Sequence, residues 1–434
     1  MTDQGPEYLT ERPCGCPEGE SASAVVTRRA LLAGATAVGA ALSFGKVFGT
    51  TTTQYAYAGA GYDGDTVVVL SLRGGFDGLS AIAPVADANY VKARPNLGIP
   101  QSRAIKLDDT FGMHPALAPL KPLWDQGLLG AVHAVGQTNP TRSHFSAMAD
   151  MENAAPGSSL RTGWLDRMAG LGPQDTFGQV AMGSGTVPQS MVGVNGDLAV
   201  KSIDTFQLMG AGPTLDLNRW KAALGPLQEG APAAVMGGAQ GTLAALDTVS
   251  TMLASGYAPA NNAKYPATDL GLALKDVARL IKAGVGVRAA AIDFGNWDMH
   301  VGLGKCDAGW MFDQLTELGL ALAAFAADLG TKMSDVTLVT LSEFGRRVAE
   351  NGSGGLDHGH GNLSLLLGGG VNGGRMYGSW PGLSPSALID GDLAGTSDYR
   401  TILAEVLEKR AKLSIGDVFP GLSSDRVGAF KAKS

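Results

Sequence analysis

Thr66–Leu72, TVVVLSL, is a continuous β-branched apolar run that ends at Arg73-Gly74-Gly75. A run of this kind predicts a strand buried on both faces, the type from which parallel sheets are built. Leu117–Trp124 carries helical spacing and Leu128–Val135 (LLGAVHAV) reads as the next strand, so a β-α-β start is expected. Asp269–Ala283 predicts an amphipathic helix leading into a strand at Val287–Ile292. Ala308–Leu329, the longest helical pattern in the chain, leads into a further strand at Asp335–Leu341 (DVTLVTL). Leu363–Leu367 is another strand candidate, and Ser397–Lys409 predicts a closing helix capped by Ser397 or Asp398.

Strands alternating with helices predict an α/β fold with a mostly parallel, doubly wound central sheet and helices on both faces. In such sheets ligands bind beyond the carboxyl ends of the strands. Residues 170–265, rich in Gly, Ala and Pro, are less regular and read as an insertion or cap within a single domain over residues 59–434. No internal repeat is evident.

Composition changes this picture little. The 434 residues are 45 % hydrophobic and 17 % charged, ordinary for a globular chain with a large core. Sixty-two glycines and 21 prolines lie between the periodic segments, as tight turns and crossover loops require. A formal charge of −7 without any Lys/Arg run excludes nucleic acid as the main partner. A small or neutral ligand, or an anion held by a local site, stays open.

The N-terminus carries an address. Arg28-Arg29 precede an Ala- and Gly-rich apolar stretch ending near Phe48, and Ala56-Tyr57-Ala58 offers a small-x-small cleavage site. This resembles a twin-arginine export signal over residues 1–58, which implies the twin-arginine export machinery as a partner and an extracellular, cell-wall or periplasmic destination. That route carries folded proteins, and loading a metal before export is one reason to use it. An uncleaved anchor is the other reading, although the apolar run is short for a bilayer span and is broken by glycines, so no stable span is expected after cleavage. Removing the leader takes four basic and five acidic residues from totals of 33 and 40, leaving a net charge of −6. Cys14 and Cys16 leave with it, and Cys306 alone forms no internal disulfide.

Four polar clusters follow or adjoin the strand candidates. They are Arg73-Gly-Gly-Phe-Asp77-Gly-Leu-Ser80, Asn139-Pro-Thr-Arg142-Ser143-His144, Asp293-Phe-Gly-Asn-Trp-Asp298-Met-His300, and the stretch from Ser342-Glu343 to Asp357-His358-Gly-His360. Four of the six histidines lie in them. Carboxylates and imidazoles together bind divalent cations of intermediate softness such as Zn, Mn or Fe(II). Asp298 and His300 point the same way only in a loop, which the preceding Gly and Asn favour, and the glycines of DHGHG let backbone wrap an ion.

Plainer readings stand beside these. Asp77-Gly78 reads equally as a turn, Ser143 as a helix N-cap, and Glu343 with Arg346-Arg347 as a surface ion pair. His133 reads as a core histidine and His114 as fixing a loop or helix start.

The segments VVVLSLRGGFDGLS, GMHPALAPLKPLWDQGLLGAVHAVG, NPTRSHFSAMADME, RTGWLDR, NWDMH, VTLSEFGRR and DHGHGN, in this order, resemble the bacterial domain of unknown function 1501 family over about residues 60–425. That family is grouped with the alkaline phosphatase and sulfatase superfamily. The resemblance implies an alkaline phosphatase-like fold with one or two divalent metals (Zn, Mn, Fe, Mg or Ca) beside a Ser, Thr or formylglycine nucleophile. Ser143 matches the nucleophile, Asp298 and His300 the acid-plus-histidine ligand pair, and Glu343 a carboxylate ligand. Phe344 stands where many members have a ligating His, and Arg73 where phosphatases have a ligating Asp. Asp77, His358 and His360 are candidates to make up the set, and one metal is expected rather than two.

The mechanism implied is ester hydrolysis on a small anionic phosphate or sulfate ester. Ser143 or a water attacks, Arg142 or Arg73 holds the anion's oxygens, Asp357 adds a substrate contact, and His144 is acid or base. The alternative is a non-catalytic exported protein on the same scaffold that uses the metal structurally or to bind an envelope polymer or partner protein, favoured by the departures at Arg73 and Phe344. A nicotinamide or flavin oxidoreductase is not supported, because Arg73-Gly74-Gly75-Phe76-Asp77-Gly78 is not a GxGxxG turn.

Overall fold

Alternation along the strands divides the protein into two hydrophobic layers. In Thr66–Leu72 (β1), Val68, Leu70 and Leu72 enter one core cluster, while Val67 and Val69 enter another. The computed structural model describes residues 62–173, 176–206 and 233–433. The arginine-pair leader, Cys14 and Cys16 lie outside these residues. Residues 49–434 form one compact unit that contains every described residue.

The central sheet comprises β1, Leu129–Gly136 (β2), Gln179–Met182 (β3), Leu198–Val200 (β4), Ala289–Phe294 (β5), Val336–Leu341 (β6), Asn362–Gly368 (β7), Met376–Tyr377 (β8) and Ser397–Asp398 (β9). Its order is β8-β2-β7-β6-β1-β5-β3-β4, with β9 paired to β2. Every ladder is parallel except those of β7, which runs antiparallel to both β2 and β6. The fold is therefore α/β with a mostly parallel sheet.

The main helices are His144–Asn153 (α1), Trp164–Ala169 (α2), Ala233–Ala254 (α3), Asp269–Ala283 (α4), Trp310–Leu329 (α5) and Tyr399–Lys409 (α6). Helices α4 and α5 pack on the face served by Val68, Leu338 and Ile292, and α2 and α6 on the face served by Val67, Val339 and Ala291. Each fully buried Val, Leu or Ile adds about 1.5–3 kcal/mol relative to exposure. Helix α4 is capped by Thr268, whose side chain accepts from the Gly271 N–H, and ends on Gly284 at φ 68°. Helix α6 is capped by Asp398, as its sequence suggests.

Three expectations shift. Leu117–Trp124 forms a 3₁₀ turn at Pro115–Leu120 and a short helix at Lys121–Asp125, because Pro119 and Pro122 interrupt a longer one. Strands β1 and β2 are parallel but not adjacent, since β6 and β7 lie between them. Of the stretch read as a cap, residues 179–182 and 198–200 instead extend the sheet edge as β3 and β4; residues 174–175 and 207–232 lie outside the described residues.

The reversed strand matters for function. Loops after β1, β2, β5 and β6 all leave the carboxyl edge of the sheet, and β7 begins at that same edge, so the DHGH loop that precedes it arrives there too.

Candidate metal centre

Two local features bring the loops together. Gly74 adopts φ 111°, and a Cβ there would lie 2.7 Å from the Asp298 nitrogen, so only glycine lets the β1 loop cross the β5 loop. Asn296, at φ 66°, turns the β5 loop back while Trp297 anchors it in the core, its indole N–H donating to the Phe294 carbonyl at 3.0 Å. Arg346 joins the rest. Its buried guanidinium donates to the carbonyls of Gly75 (2.6 Å), Leu356 and Trp297 (3.0 Å each) and Gly74, and to Asp298 Oδ1 at 2.6 Å.

Around Asp298 three imidazoles meet. His358 Nε2 lies 3.0 Å from His144 Nε2, 3.0 Å from His300 Nε2 and 3.1 Å from Asp298 Oδ1. Each ring is held from behind through Nδ1: His144 by Glu343 Oε1 at 2.7 Å, His300 by Asp357 Oδ1 at 3.0 Å, and His358 by the Arg142 carbonyl at 2.8 Å. These partners accept hydrogen bonds, so the bonding pattern places the ring proton on Nδ1 and a lone pair on Nε2. Arg346 balances Asp298 Oδ1 and approaches His300 Nε2, but the facing Nε2 lone pairs of neutral His144 and His358 repel one another unless a proton or a cation lies between them. The pattern is the outer-sphere support common to metal-ligating histidines.

Asp298 divides the cluster. Its Oδ1 faces Arg346 and lies 3.0 Å from His300 Nε2, which Arg346 also approaches at 3.4 Å, whereas Oδ2 turns to His144 Nε2 at 3.5 Å. Ligand atoms of His144, Asp298 and His358 lie within 4.8 Å of one another. Two imidazoles and one carboxylate fit a divalent metal of the Zn, Mn or Fe(II) type. Burial opposes ionisation of Asp298, but Arg346 and His358 outweigh it and hold the carboxyl down at about 2. Side chains of His144 and Asp298 are 32 % and 47 % exposed, so positions on such a metal stay open to ligands from solution.

Residues 221–401 match the family model described as "Protein of unknown function (DUF1501)". The match bears out the family resemblance over these residues, which include Asp298, His300 and His358. No curated protein matches the sequence. Among solved structures, the C-terminal periplasmic domain of EcEptC from Escherichia coli, in complex with Zn, is similar at 9 % identity over 73 % of this chain and 76 % of that one, with a TM-score of 0.33. The phosphonate monoester hydrolase of Agrobacterium radiobacter is similar at 12 % identity over 83 % and 78 %, with a TM-score of 0.34. A sulfatase from Pseudoalteromonas sp. is similar at 12 % identity over 92 % and 74 %, with a TM-score of 0.32.

The sequence candidates separate into those the fold gathers and those it does not. His144, Asp298, His300 and His358 converge. Glu343 and Asp357 stand behind histidines rather than facing the open side, Glu343 also accepting from the Gly74 N–H at 2.8 Å. The expected pairing of Glu343 with Arg346-Arg347 does not occur: Arg346 takes Asp298, and Arg347 Nε lies 3.4 Å from Asp392.

Asp77 does not reach the cluster. It is buried and forked onto Arg94 at 2.5 and 2.9 Å, and although burial opposes it, Arg94 and Ser80 lower its pKa. His360 is likewise outside, its ring wedged between Gly136 and Gly395, where an added Cβ would lie 2.7 and 2.8 Å from it. Arg73 is held by Glu152 at 2.6 Å and Asp293 at 2.7 Å, and Arg142 by Asp392 at 2.5 Å.

Ser143 takes the N-cap position of α1 but makes no capping hydrogen bond, and its exposed hydroxyl bonds to no described residue. The N-cap reading therefore holds for its position but not for the expected side-chain hydrogen bond. Two roles went unseen in the sequence. His144 sits among the ligand atoms, which its position at the head of a helix after a strand-following loop signals only weakly. Buried Arg346 had no signal beyond its place in SEFGRR.

Proposed function

We propose that this protein is an exported, metal-dependent hydrolase acting on phosphate or sulfate esters, with one divalent cation held by His144, Asp298 and His358. The observation that carries the reading is the convergence of these ligand atoms on an open edge of the sheet, one residue from the free hydroxyl of Ser143. When bound, the cation supplies Lewis-acid stabilisation of an ester oxygen and lowers the pKa of an adjacent hydroxyl or water.

This chain's own residues do the rest. Ser143 is the nucleophile, presented at the N-terminus of α1, where helix N–H groups favour negative charge. Glu343 fixes the His144 ring, Asp357 the His300 ring and the Arg142 carbonyl the His358 ring. Arg142, paired to Asp392 but with a side chain 48 % exposed, is the proposed partner for the anion's outer oxygens. His300, beside Asp298 and bonded to Asp357, is the remaining imidazole and serves as proton carrier.

Export by the twin-arginine route, cleavage after Ala58 and a single domain over residues 59–434 belong to the same proposal, supported by Arg28-Arg29 and the apolar run behind them. Among the described residues no helix is long and apolar enough to cross a membrane. The test is a panel of aryl phosphates, phosphodiesters and aryl sulfates offered to protein loaded with Zn, Mn or Fe(II). Turnover that needs metal and vanishes in Ser143→Ala is expected. Stoichiometric metal with no turnover on any substrate would leave a metal-dependent binding protein in its place.

A further inference from the structure

Gln137 directly follows β2 and bridges two elements that the sequence keeps far apart. Its side-chain Nε2 donates to the Ala147 carbonyl in α1 at 2.8 Å and to the Glu343 carbonyl after β6 at 2.7 Å. A side-chain amide carries two N–H donors, and both are used here; two carbonyls facing Nε2 also fix which end of the amide is nitrogen. The Oε1 atom is buried with no hydrogen-bond partner among the described residues. A buried acceptor without a donor is unfavourable, so the contribution of this amide lies in its two donors.

Each carbonyl belongs to an element that carries one half of a hydrogen-bonded pair. Ala147 lies one turn beyond His144 in α1, and Glu343 supplies the Oε1 that meets His144 Nδ1 at 2.7 Å. His144 and Glu343 are 199 apart in sequence, so the local chain does not set their distance. An amide fixed to both elements does.

We infer that Gln137 is a positioning residue that clamps α1 to the loop after β6 and so holds the His144 ring on Glu343 in the Nδ1–H tautomer. The inference rests on the metal reading for what Nε2 then binds, but concerns the ring itself. Without the clamp the two elements separate and the bond to Glu343 lengthens. The ring then gains the second tautomer, in which Nε2 carries the proton and is no ligand.

The experiment uses the full chain with isotope-labelled histidine, first free of metal, as wild type, Gln137→Met and Gln137→Glu. Met keeps the length without donors, and Glu keeps the shape but sets a carboxylate against two carbonyls. Nitrogen NMR reads the tautomers at about pH 8, where an ordinary imidazole is neutral. Wild-type His144, identified by the signal missing in His144→Asn, is expected to show the Nδ1–H tautomer alone. Both variants should show the two tautomers together while circular dichroism stays that of the folded chain. Zn affinity, by competition with a chromophoric chelator, should fall about tenfold. In Glu343→Gln, where the ring's support is already weakened, adding Gln137→Met should lower it by less than about threefold. A single tautomer that survives in both variants, the same loss of affinity with or without Glu343, or loss of the fold in both variants, which would make Gln137 a general structural residue, overturns the inference. Wild type that binds no Zn, with a His144 tautomer still dependent on Gln137, sinks the metal reading and keeps the clamp; Zn bound beside a ring indifferent to Gln137 does the reverse.

Discussion

The Nε2 atoms of His144 and His358 face each other at 3.0 Å although the residues are 214 apart in sequence. Both rings are pinned from behind by acceptors, so while both are neutral neither can offer the other a proton without giving up its own support. That relationship is what makes a shared cation the simplest occupant of the space between them.

Glu343 is expected to act through His144 rather than on the metal directly. Glu343→Gln keeps the shape but weakens the hydrogen bond that orients the ring and raises its basicity. Metal affinity should fall about 10–100-fold with the fold intact. Competition against a chromophoric chelator, alongside circular dichroism, reads both quantities.

Arg346 holds three loops at once. In Arg346→Leu the carbonyls of Gly74, Gly75, Trp297 and Leu356 lose their donor and Asp298 its counter-charge, so stability should drop by about 3–5 kcal/mol. Urea unfolding of the metal-free protein measures this, and a loss under 1 kcal/mol (about the worth of one exposed pair) would deny Arg346 its structural role.

Asp77 gives the contrasting case. Asp77→Ala strands the buried Arg94 guanidinium and should cost about 3–5 kcal/mol, yet leave metal affinity unchanged because Asp77 is no ligand. A variant that folded normally but lost metal would restore Asp77 to the ligand set.

His133 is buried with Nε2 bonded to the Ile82 carbonyl at 2.7 Å, and burial lowers its pKa from 6.5 to about 4. Its unfolded form therefore binds a proton that the folded form refuses between these values. Stability from the uncharged ring is complete above pH 6.5 and is lost as pH falls toward 4. Wild type should lose up to about 1.4 kcal/mol per pH unit relative to His133→Gln across that window, measured by denaturation at stepped pH. Parallel profiles would contradict it.

The sheet was legible because its strands are buried on both faces: TVVVLSL is β1 residue for residue, and the run at Asp335–Leu341 contains β6 with one residue trimmed. Pro119 and Pro122 did mark the break before Lys121–Asp125, but the helical spacing of Leu117–Trp124 masked it, and nothing local to β7 announced that it runs backwards. The site was legible as composition rather than geometry. DHGH offered two histidines, but the glycines beside them leave the backbone free to turn, and only the fold decides that His358 faces Asp298 while His360 packs against Gly136. Asp77 was indistinguishable from a ligand until Arg94, 17 residues on, proved to claim it.

The most direct test is metal content. Full-length protein should retain about one divalent transition ion per chain after dialysis against chelating resin, measured by mass spectrometry of the elements, with retention abolished in His358→Ala and His144→Ala. Wild type free of metal after loading, or histidine variants that retain it undiminished, would contradict the account.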